Sequence, residues 1–140
     1  MKLGTGLAFW GDSLRPAIDM VERADINYLC CDHLAELTMS ILSKQKSRKP
    51  DLGYTTDIVP FLRGVLPKCH ERGIKIISNA GGSNPEACAQ KVIELCRELG
   101  LYGMKVATVT GDDIMDRVDG LLEDGIEFAN TDTGQQLADI

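Results

Sequence analysis

Residues 75–85 read KIISNAGGSNP, and this stretch indicates the fold class of the chain. Its first part, Lys75 to Asn79, is short and contains two adjacent isoleucines, which is typical of a β-strand. Two glycines follow, and Pro85 is well suited to the first turn of a helix. A strand that passes through a glycine turn into a helix is part of a βαβ unit, so the stretch predicts a parallel sheet with helices packed on it.

Strands and helices alternate on both sides of this stretch. We predict three further strands, at residues 3–10, 28–31 and 104–109, and apolar residues at helical spacing follow each of them. The basic segment 43–53 is expected to be a surface loop between two helices. The sequence therefore predicts an α/β fold, a three-layer sandwich with a mostly parallel, Rossmann-like sheet.

The same pattern suggests the domain boundaries. A chain of 140 residues suits one domain and is long enough to bury a core. We expect an α/β domain over residues 1–128. The polar residues 129–140 are expected to be a C-terminal tail that leads into a missing segment.

Composition excludes several classes of partner. The net charge of -6 argues against a nucleic-acid backbone, which needs a basic surface. No apolar stretch approaches the roughly 20 residues of a membrane helix, and the N-terminus lacks the apolar core of a signal peptide. Five cysteines without a Cys-x-x-Cys pair indicate reduced thiols rather than disulfides or structural zinc. We therefore expect a cytoplasmic protein and assign no metal.

Polar residues follow the first two predicted strands, and ligands of open parallel sheets bind at the carboxyl ends of the strands. Asp12 follows the first strand, and Asp32 and His33 follow the second. These three are our candidate catalytic group for proton transfer, because carboxylates beside an imidazole suit acid–base chemistry. Two alternatives remain: Asp32 caps the next helix, or Asp32, His33 and Glu36 together bind a metal.

The glycine loop after the third strand is a candidate anion site. Two glycines let backbone amides approach a carboxylate or phosphate at a helix N-terminus. The expected ligand-binding residues are Asn79, Gly81, Gly82, Ser83 and Asn84. The structural alternative is a tight turn in which Ser83 or Asn84 caps the following helix.

The loop after the fourth predicted strand is a second candidate for ligand binding. Gly111, Asp112 and Asp113 can bind a cation or a ribose hydroxyl, or one of the two aspartates caps the next helix. Neither this loop nor the N-terminus contains a dinucleotide fingerprint, since Phe9 stands where the third glycine of Gly-x-Gly-x-x-Gly belongs. The cofactor therefore stays unassigned.

The order of these motifs resembles the acyclic terpene utilisation family, the AtuA-type proteins. Five co-linear stretches carry the resemblance: GTGLAFWGDS at 4–13, DINYL at 25–29, LAELT at 34–38, NAGGSNP at 79–85 and VATVTGDD at 106–113. They span nearly the whole chain. Two places depart from the family pattern, namely Ser13, where a basic residue is expected, and the more polar stretch at 31–33.

The resemblance implies the breakdown of acyclic terpenoid or branched acids through CoA thioesters, and with it a small anionic or CoA-linked ligand. Because family proteins are longer, it also implies a homo-oligomer or a second chain that carries the rest of the architecture. Two function classes remain. One is an enzyme that acts on an acyl-CoA or a related carboxylic substrate. The other is a non-catalytic ligand-binding or assembly subunit completed by a partner chain.

Overall fold

The computed structural model describes residues 1–139. They divide into two compact units, Met1–Val109 and the chain from Thr110 onward. This division separates two groups of mutually contacting residues, whereas the predicted one separates an α/β domain from a polar tail. The predicted boundary after residue 128 stays a prediction. The first unit contains the strands and the longer helices.

A three-stranded parallel sheet is the centre of the first unit, with the order β1-β2-β3. The strands are β1 (Leu3–Leu7), β2 (Tyr28–Cys31) and β3 (Lys75–Ser78). Four helices connect or follow them: α1 (Arg15–Arg23), α2 (Glu36–Arg48), α3 (Ile58–Arg72) and α4 (Pro85–Glu98). The predicted α/β class and the parallel sheet are therefore confirmed.

Alternate residues of the strands point to one covered face of the sheet. Gly6 of β1 lies so close to α1 that a Cβ atom there would be 2.6 Å from the Cβ of Ala17. Leu29 of β2 is fully buried, as are Phe61 and Val65 of α3. Burial of each large apolar side chain contributes roughly 1.5–3 kcal/mol, so packing on this face stabilises the unit.

The opposite face of the sheet is open in the part of the chain that the structure describes. The Leu3 side chain is 59% exposed, and that of Ile77 is 55% exposed. Cys30, on the same face of β2, is only half-buried. The helix layer on this second face, which a three-layer sandwich requires, and the Rossmann-like arrangement stay predictions.

Two predicted elements differ from the structure. Residues 104–109 contain no strand, and Val109 is 92% exposed, because β-propensity alone does not hold a strand that has no hydrogen-bonded neighbour. The basic segment predicted as a loop is helical as far as Arg48. Lys46 and Arg48 lie in the last turn of α2, where positive charge interacts favourably with the helix dipole.

The second unit is small and largely exposed. It contains a short helix, α5 (Val118–Glu123), preceded by a 3-10 turn at Met115–Arg117. Ala129 and Gln136 form an isolated antiparallel bridge, so the predicted polar tail folds back on itself. Across residues 1–139, no helix combines the length and the apolar character needed to cross a membrane.

Candidate functional site

Asn79 joins the ends of β2 and β3 at the carboxyl edge of the sheet. Its Oδ1 accepts the backbone N–H of His33 at 2.8 Å, and its Nδ2 donates to Oδ1 of Asp32 at 2.7 Å. The parallel pairing of Cys31 with Ser78 places these residues side by side directly after the strands. The structure thus brings together Asp32, His33 and Asn79, as the strand-end rule predicted.

Asp32 is exposed, and its environment favours the charged carboxylate. The hydrogen bond from Asn79, followed by that from the backbone amide of Leu34, lowers the pKa of Asp32 below its ordinary value. Asp32 does not cap α2, because Ala35 occupies the N-cap position of that helix and no side-chain cap bond is present. Its side chain is therefore available at the edge of the sheet as a fixed negative charge.

His33 is fully buried, with 0% of its surface exposed. Its Nδ1 lies 3.5 Å from Oδ1 of Asp57 and 3.5 Å from Oγ1 of Thr55. The imidazole and the ring of Phe61 form a T-shaped pair, with ring centroids 5.8 Å apart. Nε2 is buried as well, and none of residues 1–139 offers it a hydrogen-bond partner.

Burial decides the protonation state of His33. Loss of hydration lowers the pKa of the imidazole below its usual value, and the charge of Asp57 opposes this effect without reversing it. The side chain is therefore neutral at pH 7. A neutral imidazole has one N–H and one free lone pair, so it can accept a proton.

Asp57 connects this site to the loop after β1. While Oδ1 faces His33, Oδ2 accepts the backbone N–H of Gly11 at 2.9 Å. Neither Asp57 nor Thr55 was predicted, because both lie between helices α2 and α3 and not after a strand. The polar run Thr55-Thr56-Asp57 before an apolar helix is the only signal in the sequence, and it equally indicates an ordinary helix start.

Asp12 has a local role in the structure. Its Oδ1 accepts the N–H of Ser13 at 2.7 Å, and its Oδ2 accepts the N–H of Ala8 at 3.1 Å. These bonds close the turn between β1 and α1. In the described residues no hydrogen bond or ion pair joins Asp12 to Asp32 or His33, so the structure does not assemble the predicted trio as one group.

In the glycine loop after β3, three of the four amides from Gly81 to Asn84 are bonded within the protein. The amides of Gly82, Ser83 and Asn84 donate to the carbonyls of Asn79, Gly53 and Gly81, at 3.1, 2.9 and 2.9 Å. They are thus used within the protein and are not turned outward to a ligand. Asn84 occupies the N-cap position of α4 and accepts the N–H of Ala87 at 3.4 Å, which is the structural alternative considered above.

The second glycine of this loop is required by packing. Gly82 has a φ of +53°, which favours glycine, and a Cβ there would lie 2.4 Å from Cδ1 of Leu42. The same atom would lie 2.8 Å from the carbonyl oxygen of Gly53. The close backbone approach that the sequence predicts is therefore real, but its partner is α2 and the segment after it.

Gly111, Asp112 and Asp113 belong to the second unit and are exposed. Oδ1 of Asp113 accepts the N–H of Met115 at 3.0 Å, at the start of the 3-10 turn. Within residues 1–139 no three His, Cys, Asp or Glu side chains are grouped so as to hold a metal ion. The structure thus does not bring Asp32, His33 and Glu36 together as metal ligands.

A small cleft of about 160 Å³ lies elsewhere in the first unit, at the end of α4. Ile93, Arg97, Tyr102 and Met104 are among its lining residues. None of the predicted site residues lines it, so the cleft and the His33 site are separate features.

The fold and the contacts at the strand ends define a parallel α/β protein with a buried imidazole–carboxylate pair at the carboxyl edge of its sheet. The chain belongs to the acyclic terpene utilisation family: the family model described as "Acyclic terpene utilisation family protein AtuA" matches residues 1–140, the whole chain. The resemblance drawn from the five motifs is confirmed. No curated protein and no solved structure matches the chain.

Proposed function

We propose that this protein acts on an acyl-CoA or related carboxylic substrate in the breakdown of acyclic terpenoid or branched acids, and that His33 transfers the proton. Family membership implies acyclic terpene utilisation in the broad sense. The single observation that carries the proposal is the buried Nε2 of His33, which has no partner in the described chain while Nδ1 faces Asp57. An unpaired buried polar atom costs free energy, and a catalytic role is one explanation for keeping such an atom.

The proposed reaction step is removal of a proton from the carbon next to the thioester carbonyl. Nε2 takes the proton, and the electron pair of the C–H bond moves to form an enolate whose charge lies on the carbonyl oxygen. Return of a proton from Nε2 restores a C–H bond. Asp57 stabilises the imidazolium that exists between the two transfers, because its carboxylate lies 3.5 Å from Nδ1.

Asp32 and Asn79 have different proposed roles. Asp32 is the exposed, charged group at the edge of the sheet, where it can accept a hydrogen bond from a ligand hydroxyl or amide, and Asn79 holds it in place through the 2.7 Å bond. Because His33 is fully buried, a substrate reaches Nε2 only after covering side chains move. Asp12 supports the site by shaping the loop whose Gly11 amide binds Asp57.

Solvent deuterium exchange tests this proposal without knowledge of the later steps. The protein is incubated in D2O with CoA thioesters of branched acyclic acids and with the corresponding free acids. We expect deuterium to enter the position next to the thioester carbonyl faster than in buffer alone. If no thioester or free acid exchanges faster than in buffer, the proposed chemistry is wrong.

A second candidate function, an assembly subunit, is favoured by the open face of the sheet. Leu3 and Ile77 are more than half exposed there, although both are large apolar side chains. A second copy or a partner chain on this face would complete the predicted three-layer, Rossmann-like sandwich. Light scattering after size exclusion tests this candidate: an oligomer that Ile77→Glu dissociates supports it, and a wild-type monomer contradicts a homo-oligomer.

The cysteines support residence in a reducing compartment such as the cytoplasm. All five are free thiols in the structure, and four of them are buried. Burial raises the pKa of the Cys31, Cys69 and Cys88 thiols to about 11, so these thiols stay protonated and unreactive at neutral pH. Cys31 therefore has no proposed role as a nucleophile.

A further inference from the structure

The segment between α2 and α3, residues 49–57, carries Thr55 and Asp57 to His33, and we call it the strap. The turn between β3 and α4 holds the strap. Nδ2 of Asn84 donates to the carbonyl oxygens of Pro50 and Leu52, both at 2.7 Å. The Asn84 side chain thus connects the start of α4 with the first half of the strap.

Further bonds from the same turn reach the second half of the strap. The carbonyl of Gly53 accepts from the amide of Ser83 at 2.9 Å and from its hydroxyl at 3.1 Å. The amide of Thr55 donates to the carbonyl of Ala80 at 2.9 Å. Every one of these contacts places the strap relative to the turn that follows β3, and Asn79 begins the same turn.

The contacts of Nδ1 indicate which nitrogen of His33 carries the proton. An ionised Asp57 only accepts hydrogen bonds, and the hydroxyl of Thr55 donates to the carbonyl of Ala80, at 3.5 Å. The Thr55 hydroxyl lies 3.5 Å from Nδ1 as well, so it fits either tautomer. Oδ1 of Asp57 can only accept, lies 3.5 Å from Nδ1 and has no other donor in the described chain, which favours Nδ1–H and leaves the lone pair on Nε2. This is the nitrogen that has no partner in the described chain.

We propose that Asn84 is a positioning residue of the His33 site: its side chain fixes the strap so that Asp57 keeps the imidazole in the Nδ1–H form. Asn84 itself does not touch the imidazole. This positioning role goes beyond the proposed function. Only an effect of Asn84 on turnover rests on the proposed function, because it requires that His33 transfers the proton. The positioning role explains why an asparagine is present at this helix start, because serine or aspartate would cap α4 equally well but has no amide donor.

Nitrogen NMR of the two histidines in ¹⁵N-labelled protein tests the proposal. We expect His33 to show a protonated Nδ1 and an unprotonated Nε2, with exposed His70 as the internal reference. Asn84→Asp keeps the oxygen that caps α4 and removes both donors to the strap. It should shift the His33 nitrogens towards a mixture of tautomers. The matched control is Asn27→Asp, which keeps the Oδ1 that accepts the Lys2 amide and should leave His33 unchanged.

Asn84→Ser is the second variant in case the aspartate prevents folding, since it also retains a cap and loses the donors. A wild-type His33 with Nε2–H overturns the proposal, as does either folded variant with wild-type nitrogen shifts. The deuterium exchange of His33→Gln tests the proposed function separately from the positioning role of Asn84. If the shifts behave as expected and His33→Gln retains deuterium exchange, Asn84 positions the imidazole but the imidazole does not transfer the proton.

Discussion

Oδ1 of Asp57 lies 3.5 Å from Nδ1 of His33, and the two residues come from different parts of the chain. His33 follows β2, whereas Asp57 ends the strap and occupies the N-cap position before α3. The second oxygen of Asp57 binds the Gly11 amide, so one carboxylate connects the loop after β1 with the loop after β2. Burial has the largest effect on the pKa of His33, and among the nearby charged groups Asp57 affects it more than the sequence neighbour Asp32 does.

Replacing Asp57 with Asn tests this relationship. The carboxylate of Asp57 raises the pKa of His33 against the larger effect of burial. We expect Asp57→Asn to lower the pKa of His33 further, because the amide keeps the bond to Gly11 and loses the charge. Proton NMR titration of the imidazole measures the change. Asp132→Asn, in the exposed second unit, is the matched control, and an unchanged His33 pKa in Asp57→Asn would show that the pair is not formed in solution.

The pH dependence of stability follows from the lowered pKa of His33. The unfolded chain binds a proton at His33 near the model-peptide pKa of about 6.5, and the folded chain binds it only at lower pH. Below about 6.5 the unfolded state thus holds more protons, so the free energy of unfolding falls as pH drops towards the folded pKa. Urea unfolding between about pH 5 and 7.5 should show this slope in the wild type. His33→Gln should reduce it, and equal slopes would contradict a buried neutral imidazole.

Asp32 titrates in a different range and with the opposite sign. The bond from Asn79 lowers its pKa below 3.8, so the stability it contributes is present above about that pH and is lost as pH falls further. Replacing Asn79 with Ala should move the pKa of Asp32 up towards its ordinary value. Carbon NMR of the carboxyl group measures this shift. If Asp32 titrates unchanged in a folded Asn79→Ala protein, the bond between the two side chains is absent in solution.

Gly82→Ala distinguishes close packing from an open ligand loop. The added Cβ would lie 2.4 Å from Leu42, at a φ of +53°, so we expect a loss of about 1–3 kcal/mol in unfolding free energy. Gly120→Ala is the control, because it lies within α5 and its Cβ would meet nothing within 4 Å. Chemical denaturation measures both. A Gly82→Ala protein as stable as the wild type would contradict close packing at Gly82 and would favour an open ligand loop.

Sequence reasoning predicted part of the candidate site and missed the rest for a physical reason. Asp32 and Asn79 were predictable because each directly follows a strand, and His33 because it comes next after Asp32; parallel strands bring such residues to one edge. Asp57 was not predictable in this way, because a helix start carries it to the edge and long-range hydrogen bonds of the strap fix its place. The local pattern gives the strand ends, whereas the packing between elements decides which side chains meet.

The glycine loop is a second place where the local sequence pattern does not identify the contacting group. Its two glycines correctly indicated a close backbone approach, but the sequence cannot tell whether a ligand or another segment approaches. Here the approaching groups are Leu42 and the carbonyl of Gly53. Likewise, residues 104–109 have the composition of a strand, yet no neighbouring strand pairs with them in the described chain.

We propose that His33 transfers a proton to and from the carbon next to the carbonyl of a carboxylic thioester. The chain has two histidines, so His70 serves as a direct comparison. The measurement is the rate of deuterium incorporation next to the thioester carbonyl for wild type, His33→Gln and His70→Gln, each checked for folding by circular dichroism. We expect loss of a general base to slow exchange by about 10²–10⁴-fold in His33→Gln and to leave His70→Gln at the wild-type rate. A folded His33→Gln protein that exchanges as fast as the wild type would contradict the claim.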